Sequence, residues 1–185
     1  MVDGHVGIEF FDAEAPSIYE SEQNAPASVV GPNPTRTVEV WVWNDEVGGE
    51  ETMVAWSRRG GPSGTNASFN YGTSVDFGAV GHWDDAADLG WSSLPSSDDW
   101  HHLVYTYDGA TTRVYIDGVL DNSEEPGAGA VDTHPEHPFV IGAQTGSMGT
   151  YERRGSLVLA RIRVHSEALD SDGVADNYAL EQGEF

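Results

Sequence analysis

Apolar and polar positions alternate with a period of two from Trp100 to Gly118, WHHLVYTYDGATTRVYIDG. Aromatic and β-branched residues flank Asp108-Gly109-Ala110-Thr111 on both sides, and the Asp-Gly pair supplies the positive φ that a tight reversal needs. The pattern predicts two amphipathic strands joined by a turn, with an apolar face that another layer must cover. A second pair, Asp117-Gly118, starts a further reversal. Strand-like runs recur along the chain at Val6–Phe11, Ala27–Val30, Thr37–Trp43, Thr52–Ser57, Ala67–Tyr71, Ser74–Val80, His101–Tyr107, Arg113–Ile116, Phe139–Ile141 and Ser156–Val164, with Gly, Pro, Asn or Asp between nearly all of them. This spacing predicts an all-β, two-sheet antiparallel sandwich rather than alternating βα units. In Thr37–Trp43, alternation places Val38, Val40 and Val42 on one face and Glu39, Trp41 and Trp43 on the other. Only Ser171–Leu180 reads as helix, with Ser171 as its expected cap and Gly173 limiting it to one or two turns. Gly60-Gly61-Pro62-Ser63-Gly64 and Pro126-Gly127-Ala128-Gly129-Ala130 read as loops inside one sandwich, so residues 1–185 are expected to form a single domain. Neither loop carries a Lys or leads into a helix, as a phosphate-binding loop would.

A Trp-His-hydrophobic strand, the YDG turn and the VYIDG strand end resemble the signature of laminin G-like domains of the concanavalin A-like lectin/glucanase superfamily. Arg36 to Trp43, RTVEVWVW, is similar to the family's "ftvE-aWv" strand. Ile162 to Leu169, IRVHSEAL, with Asn177-Tyr178 following, is similar to its closing "vRiy-raL" strand. The resemblance spans roughly residues 6 to 180 and implies a jelly-roll sandwich. It implies little about function, because this architecture carries adhesion, sugar binding, enzymes and scaffolds alike.

Charge narrows the environment. The chain has 31 Asp+Glu against eight Arg, no Lys at all, and a formal net charge of −23. Such a balance points to adaptation to molar salt, where the Debye length falls to about 3 Å and self-repulsion is screened, the plainer alternative being an acidic secreted domain. Nucleic acid and anionic lipid are poor partners for it. No apolar run is long enough for a membrane helix, and no membrane insertion is expected. Without cysteine, stability must come from core packing, with bound ions as an optional addition, rather than from disulfides. The N-terminal MVDGHVGIEFF has neither a basic region nor a signal-length apolar stretch. An excised module of a larger secreted protein would explain this, as would a virion or appendage subunit made inside the cell and displayed outside.

The best candidate binding loop is His82 to Trp91, HWDDAADLGW, because Trp83 and Trp91 sit in a polar context rich in Asp and Gly. Two indoles there either stack on a ligand or plug the sandwich end. Sugars combine apolar C–H faces with hydroxyls, which suits a Trp platform flanked by Asp84 and Asp88, with Arg58, Arg59, Asn70 and Tyr71 on the rim. Glu39 raises the question of catalysis, but the E-x-D-x-E strand pattern of the laminarinase-type relatives occurs nowhere in the chain, so no enzyme activity is expected. His101 and His102 are adjacent on a strand and point to opposite faces, and His102 is expected as a buried imidazole. His134 and His137, in THPEHP, lack the helix that would turn both rings onto one zinc. No cofactor is required on this reading. Calcium is the exception to consider, with Asp12, Asp170 and Asp172 as candidate oxygen ligands near the two chain ends. The resemblance implies a calcium site that uses an acid just before the last strand motif, where this chain has Ala160 and Arg161. Asn66-Ala67-Ser68 matches a glycosylation acceptor.

The reading that follows is a non-catalytic recognition or surface-display module, extracellular or surface-displayed, whose partner is a carbohydrate or glycoprotein surface. The alternative is a self-assembling structural subunit of a virion, appendage or surface layer, and glycoside hydrolysis comes third.

Overall fold

The computed structural model describes residues 1–2, 4–11, 17–84, 86–127 and 129–185. Eleven strands build two antiparallel sheets: β1 (Ile8–Glu9), β2 (Tyr19–Asn24), β3 (Arg36–Trp43), β4 (Glu51–Trp56), β5 (Ala67–Tyr71), β6 (Val80–Gly81), β7 (Trp100–Tyr107), β8 (Thr112–Ile116), β9 (Val119–Glu124), β10 (Pro138–Ile141) and β11 (Val158–His165). The six-stranded sheet runs β1-β11-β3-β7-β8-β9 and the five-stranded sheet β2-β10-β4-β5-β6. Two short ribbons accompany them: Gly31–Pro32 with Asp132–Thr133, and Gln144–Thr145 with Tyr151–Glu152.

The alternation in β3 decides its two faces as expected. Val38, Val40 and Val42 join Phe69, Tyr71, Leu103 and Tyr105 in the core between the sheets. Glu39 and Trp41 face the other way, yet both are buried, because helix α1 (Ser171–Glu181) covers that face. Trp41 Nε1 donates to Glu181 Oε2 at 2.7 Å, and Asn177 Nδ2 donates to Glu39 Oε2 at 3.0 Å. The ring of Phe185 stacks on Trp41 with centroids 4.4 Å apart.

Hairpin β8–β9 turns on Asp117 (φ 51°) and Gly118 (φ 80°), the pair of positive φ values that matches strand twist in a two-residue reversal. Asp117 also accepts from His102 N and pairs with His101 Nδ1 at 2.8 Å, tying the turn back to β7. Burial alone would lower the His101 pKa, but the Asp117 carboxylate outweighs it and raises it.

Several elements depart from the expectation. Ala27–Val29 is a turn of 3₁₀ helix rather than a strand, and of Ser74–Val80 only Val80 is extended. Two edge strands, β2 and β9, were hidden because YESEQN and VLDNSE have no apolar alternation; both lie at sheet edges with largely exposed side chains. Helix α1 runs eleven residues rather than one or two turns. Its cap is Asp170, whose Oδ1 accepts from Gly173 N at 2.9 Å, so Ser171 is the first helical residue and not the cap. Burial of Val174 and the anchoring of Glu181 on Trp41 supply the stability that local propensity lacks.

Candidate functional site

In β5, period two sends Ala67, Phe69 and Tyr71 into the core and Ser68 and Asn70 to the opposite face, with Asn66 just before them on that polar side. That polar face is itself buried: Asn66, Ser68, Asn70, Thr52 and Gln144 are all at most 2% exposed. Their groups satisfy one another, as buried polar atoms must. Gln144 Nε2 donates to Glu50 Oε1 at 2.7 Å and to Thr52 Oγ1 at 3.0 Å, while Asn66 Nδ2 donates to Gly81 O at 3.2 Å and Gln144 Oε1 at 3.3 Å. A Cβ on Gly81 would meet Ser68 Oγ at 2.8 Å, so glycine lets β6 pack against this floor.

Above the floor lies a pocket of about 450 Å³ lined by Glu50, Arg59, Asn66, Phe77, Gly81, Trp83, Asp84 and Asp88. Trp83 is 41% exposed and forms one wall. The Arg59 guanidinium lies 5.1 Å from its ring centroid, a cation–π contact, and also pairs with Glu50 Oε1 at 2.5 Å. Trp83 holds φ at 64°, a left-handed conformation that costs a side-chain-bearing residue about 1 kcal/mol or more. The turn around it compensates: Asp88 Oδ1 accepts from His82 N at 2.5 Å and from Asp84 N at 3.3 Å. Ser63 donates to the Asp84 carboxylate, and with the Ala86 amide lowers its pKa. Burial pushes Asp88 the other way, up to about 6 despite those amide donors.

A directional chain of hydrogen bonds fastens this turn to the core. Arg36 is fully buried; its Nε donates to Tyr105 Oη at 2.9 Å and its Nη1 to Thr133 Oγ1 at 2.8 Å and Val29 O at 3.1 Å. Tyr105 Oη, having accepted from Arg36, donates to His82 Nε2 at 2.8 Å, which leaves His82 Nδ1–H to donate to Ala87 O at 2.7 Å. Burial, reinforced by the Arg36 charge, holds His82 neutral with its pKa lowered to about 3. No carboxylate faces Arg36 in these contacts. The rings of Trp56, Tyr105 and Tyr107 lie within 6.0 Å of its Cζ instead.

The structure gathers Trp83, Asp84, Asp88 and Arg59 on one pocket and corrects the rest of the expected rim. Trp91 is only 8% exposed and packs on Phe69 at 6.1 Å, so it plugs the core. Tyr71 is fully buried and donates to Ser96 O at 2.6 Å. Asn70 is fully buried and joins the floor network rather than the rim. Arg58 turns away to a separate pocket of about 120 Å³ with Ser57, His134 and His137. Sequence reasoning passed over Glu50 and Gln144 and read Asn66 only as a glycosylation acceptor, although the alternation in NASFNY signals a polar face on β5. The glycosylation match at Asn66 falls on this buried amide, which is out of reach of a glycan-transferring enzyme while folded.

Glu39 sits beneath α1, away from this pocket. Burial would raise its pKa, but contacts with His102, Asn177 and His165 bring it down to about 2. His165 Nε2 is 2.6 Å from Oε1, whereas His102 Nε2 stands 3.3 Å from Oε2, outside hydrogen-bond geometry. Among the described residues no three His, Asp or Glu side chains converge as a metal set. Asp12 lies outside the described residues, and Asp170 is engaged in capping α1. Where the family resemblance implies a calcium-binding acid, Arg161 instead pairs with Glu181 at 3.1 Å and Glu184 at 2.6 Å, so that position does not suit a cation.

Comparison with family models matches residues 20–175 to the laminin G model of the concanavalin A-like lectin/glucanases superfamily. The chain belongs to this superfamily. Comparison with curated protein sequences finds no match. Among solved structures it is similar to a Bacteroides ovatus protein provisionally described as carbohydrate binding, at 19% identity and TM-score 0.65, covering 90% of this chain and 45% of that one. It is also similar to a native heptameric SAP-like pentraxin from Limulus polyphemus, at 16% identity and TM-score 0.64, covering 90% and 78%. A third similarity is to domain 4 of a GH43 extracellular arabinanase from Geobacillus stearothermophilus, in complex with arabinotriose, at 18% identity and TM-score 0.58, covering 92% and 84%. At these identities the likenesses establish the fold.

Proposed function

We propose that residues 1–185 act as one non-catalytic carbohydrate-recognition domain, displayed outside the cell and adapted to high salt. The observation that carries this reading is Trp83, a half-exposed indole held in a strained turn as the wall of a pocket that also offers amides, carboxylates and a guanidinium. An aromatic face beside converging polar groups suits the C–H faces and hydroxyls of a sugar. Two of the similar structures are described in carbohydrate terms, which supports the same reading. The carboxylate most suggestive of catalysis, Glu39, serves to hold α1 rather than to line a cleft. A glycan array probed at molar salt tests the proposal: the wild-type chain should bind and Trp83→Ala should lose that binding. Retention of binding by the variant would overturn it.

An assembly subunit is the second reading, favoured by the exposed apolar side chains of Val119 and Leu120 on edge strand β9. Size-exclusion chromatography in molar salt separates the two, since a closed multimer would favour assembly and a monomer the recognition domain.

A further inference from the structure

We infer that the Trp83 pocket selects uncharged saccharides and excludes those bearing carboxylate or sulfate groups; this rests on the carbohydrate reading proposed above. Three carboxylates, Glu50, Asp84 and Asp88, line the pocket against one guanidinium, Arg59. That guanidinium is already committed, to Glu50 at 2.5 Å on one side and to the face of Trp83 on the other. It has little charge left to offer an anionic ligand. The adjoining groove, which shares Glu50 and Phe77 with the pocket, does not restore the balance. It adds Asp45, Glu46, Glu51 and Glu152 against Arg153 and Arg154. Arg153 Nε reaches Glu50 Oε2 at 3.3 Å, so it too is drawn towards a resident carboxylate. Arg58, the remaining cation in this loop, turns into a different pocket with His134 and His137.

The carboxylates suit a neutral sugar for a second reason. An ionised carboxylate only accepts hydrogen bonds, so sugar hydroxyls can donate to it whereas a uronate or sulfate brings further acceptors. Asp88 ionises at about 6, and Asp84 is held ionised by the Ser63 hydroxyl and the Ala86 amide, so both are acceptors at neutral pH. Salt does not erase this preference. Glu50 and Asp88 are partly desolvated, the Glu50 side chain being only 3% exposed, and partly buried charges are screened far less than more open ones such as Asp84.

The test is a glycan array carrying neutral oligosaccharides beside uronate, sialylated and sulfated glycans of matched backbone, probed with the full chain at low and at molar KCl. The expected result is binding to neutral members, with anionic counterparts weaker by at least about tenfold, as for one charge repulsion in a partly desolvated site. Asp84→Asn combined with Asp88→Asn should narrow that gap by admitting anions. Anionic glycans bound as tightly as neutral ones, with Trp83→Ala still abolishing both, would overturn the selectivity alone. If neither class binds, the carbohydrate reading falls and the selectivity falls with it.

Discussion

Trp83 and Trp91 are the same residue type eight positions apart, and their surroundings divide their roles. Trp91 fills space against Phe69 in the core, so Trp91→Ala should cost about 3–5 kcal/mol through lost burial and a cavity. Trp83→Ala should change stability by about 0.5 kcal/mol or less, because the ring is nearly half in water and its backbone is held by Asp88. Urea unfolding of the two variants checks the contrast, and a large loss for Trp83→Ala would place that indole among structural residues too. In the linear chain the two indoles look alike, since both lie among Asp, Ala and Gly; only the pairing of Val80 with Leu89 turns one inward. Glu39 carries a second residue-scale expectation. Its folded pKa, about 2, lies below its usual 4.5, so its contribution to stability is complete above about 4.5 and is lost as pH falls towards 2. Glu39→Gln should therefore be less stable than wild type at neutral pH and converge with it as pH drops through that window, measured by urea midpoint. Parallel curves would show that the carboxylate charge is not what matters there.

The strands that alternate are legible in the sequence, and those that do not are hidden in it. β3, β5, β7 and β8 each bury one face in a common core, which requires period-two apolar patterning. β2 and β9 are edge strands with exposed side chains, so nothing in the folded state demanded alternation of them. The length of α1 escaped for a different reason. Its stability comes from docking on β3, through Trp41, Glu39 and Phe185, and those contacts span more than a hundred residues of sequence. The site was half legible: the loop from His82 to Asp88 was found, but the buried amide floor needed the third dimension. Arg36, Tyr105 and His82 form a chain that joins two neighbouring strands of the six-stranded sheet, β3 and β7, to the Trp83 turn. Tyr105→Phe deletes one hydroxyl and strands the Arg36 Nε–H and His82 Nε2, each costing about 1–3 kcal/mol. The expected outcome is a lower melting temperature together with faster amide hydrogen exchange at His82–Asp88. Unchanged exchange there would show that Asp88 alone suffices to hold the turn.

For the whole molecule, 31 acidic residues and eight Arg leave repulsion that counter-ions must screen. Several Arg are already spent in local pairs, among them Arg59 with Glu50, Arg113 with Asp108, and Arg161 and Arg163 with Glu181. Arg36 lies in the core and cannot compensate surface charge. Melting temperature should accordingly rise from about 0.1 M to about 2 M KCl as the Debye length shrinks from about 10 Å to about 3 Å or less. A flat profile over that range would remove the inference of salt adaptation. Phe185 also meets the N-terminal segment. The Phe185 ring lies 5.6 Å from that of His5, and Trp100 Nε1 donates to Val2 O, so the described chain enters and leaves the sandwich beside the same patch of β3 and β7. Both ends of the described chain thus hang on one aromatic patch, so loosening Trp100 would release the two together.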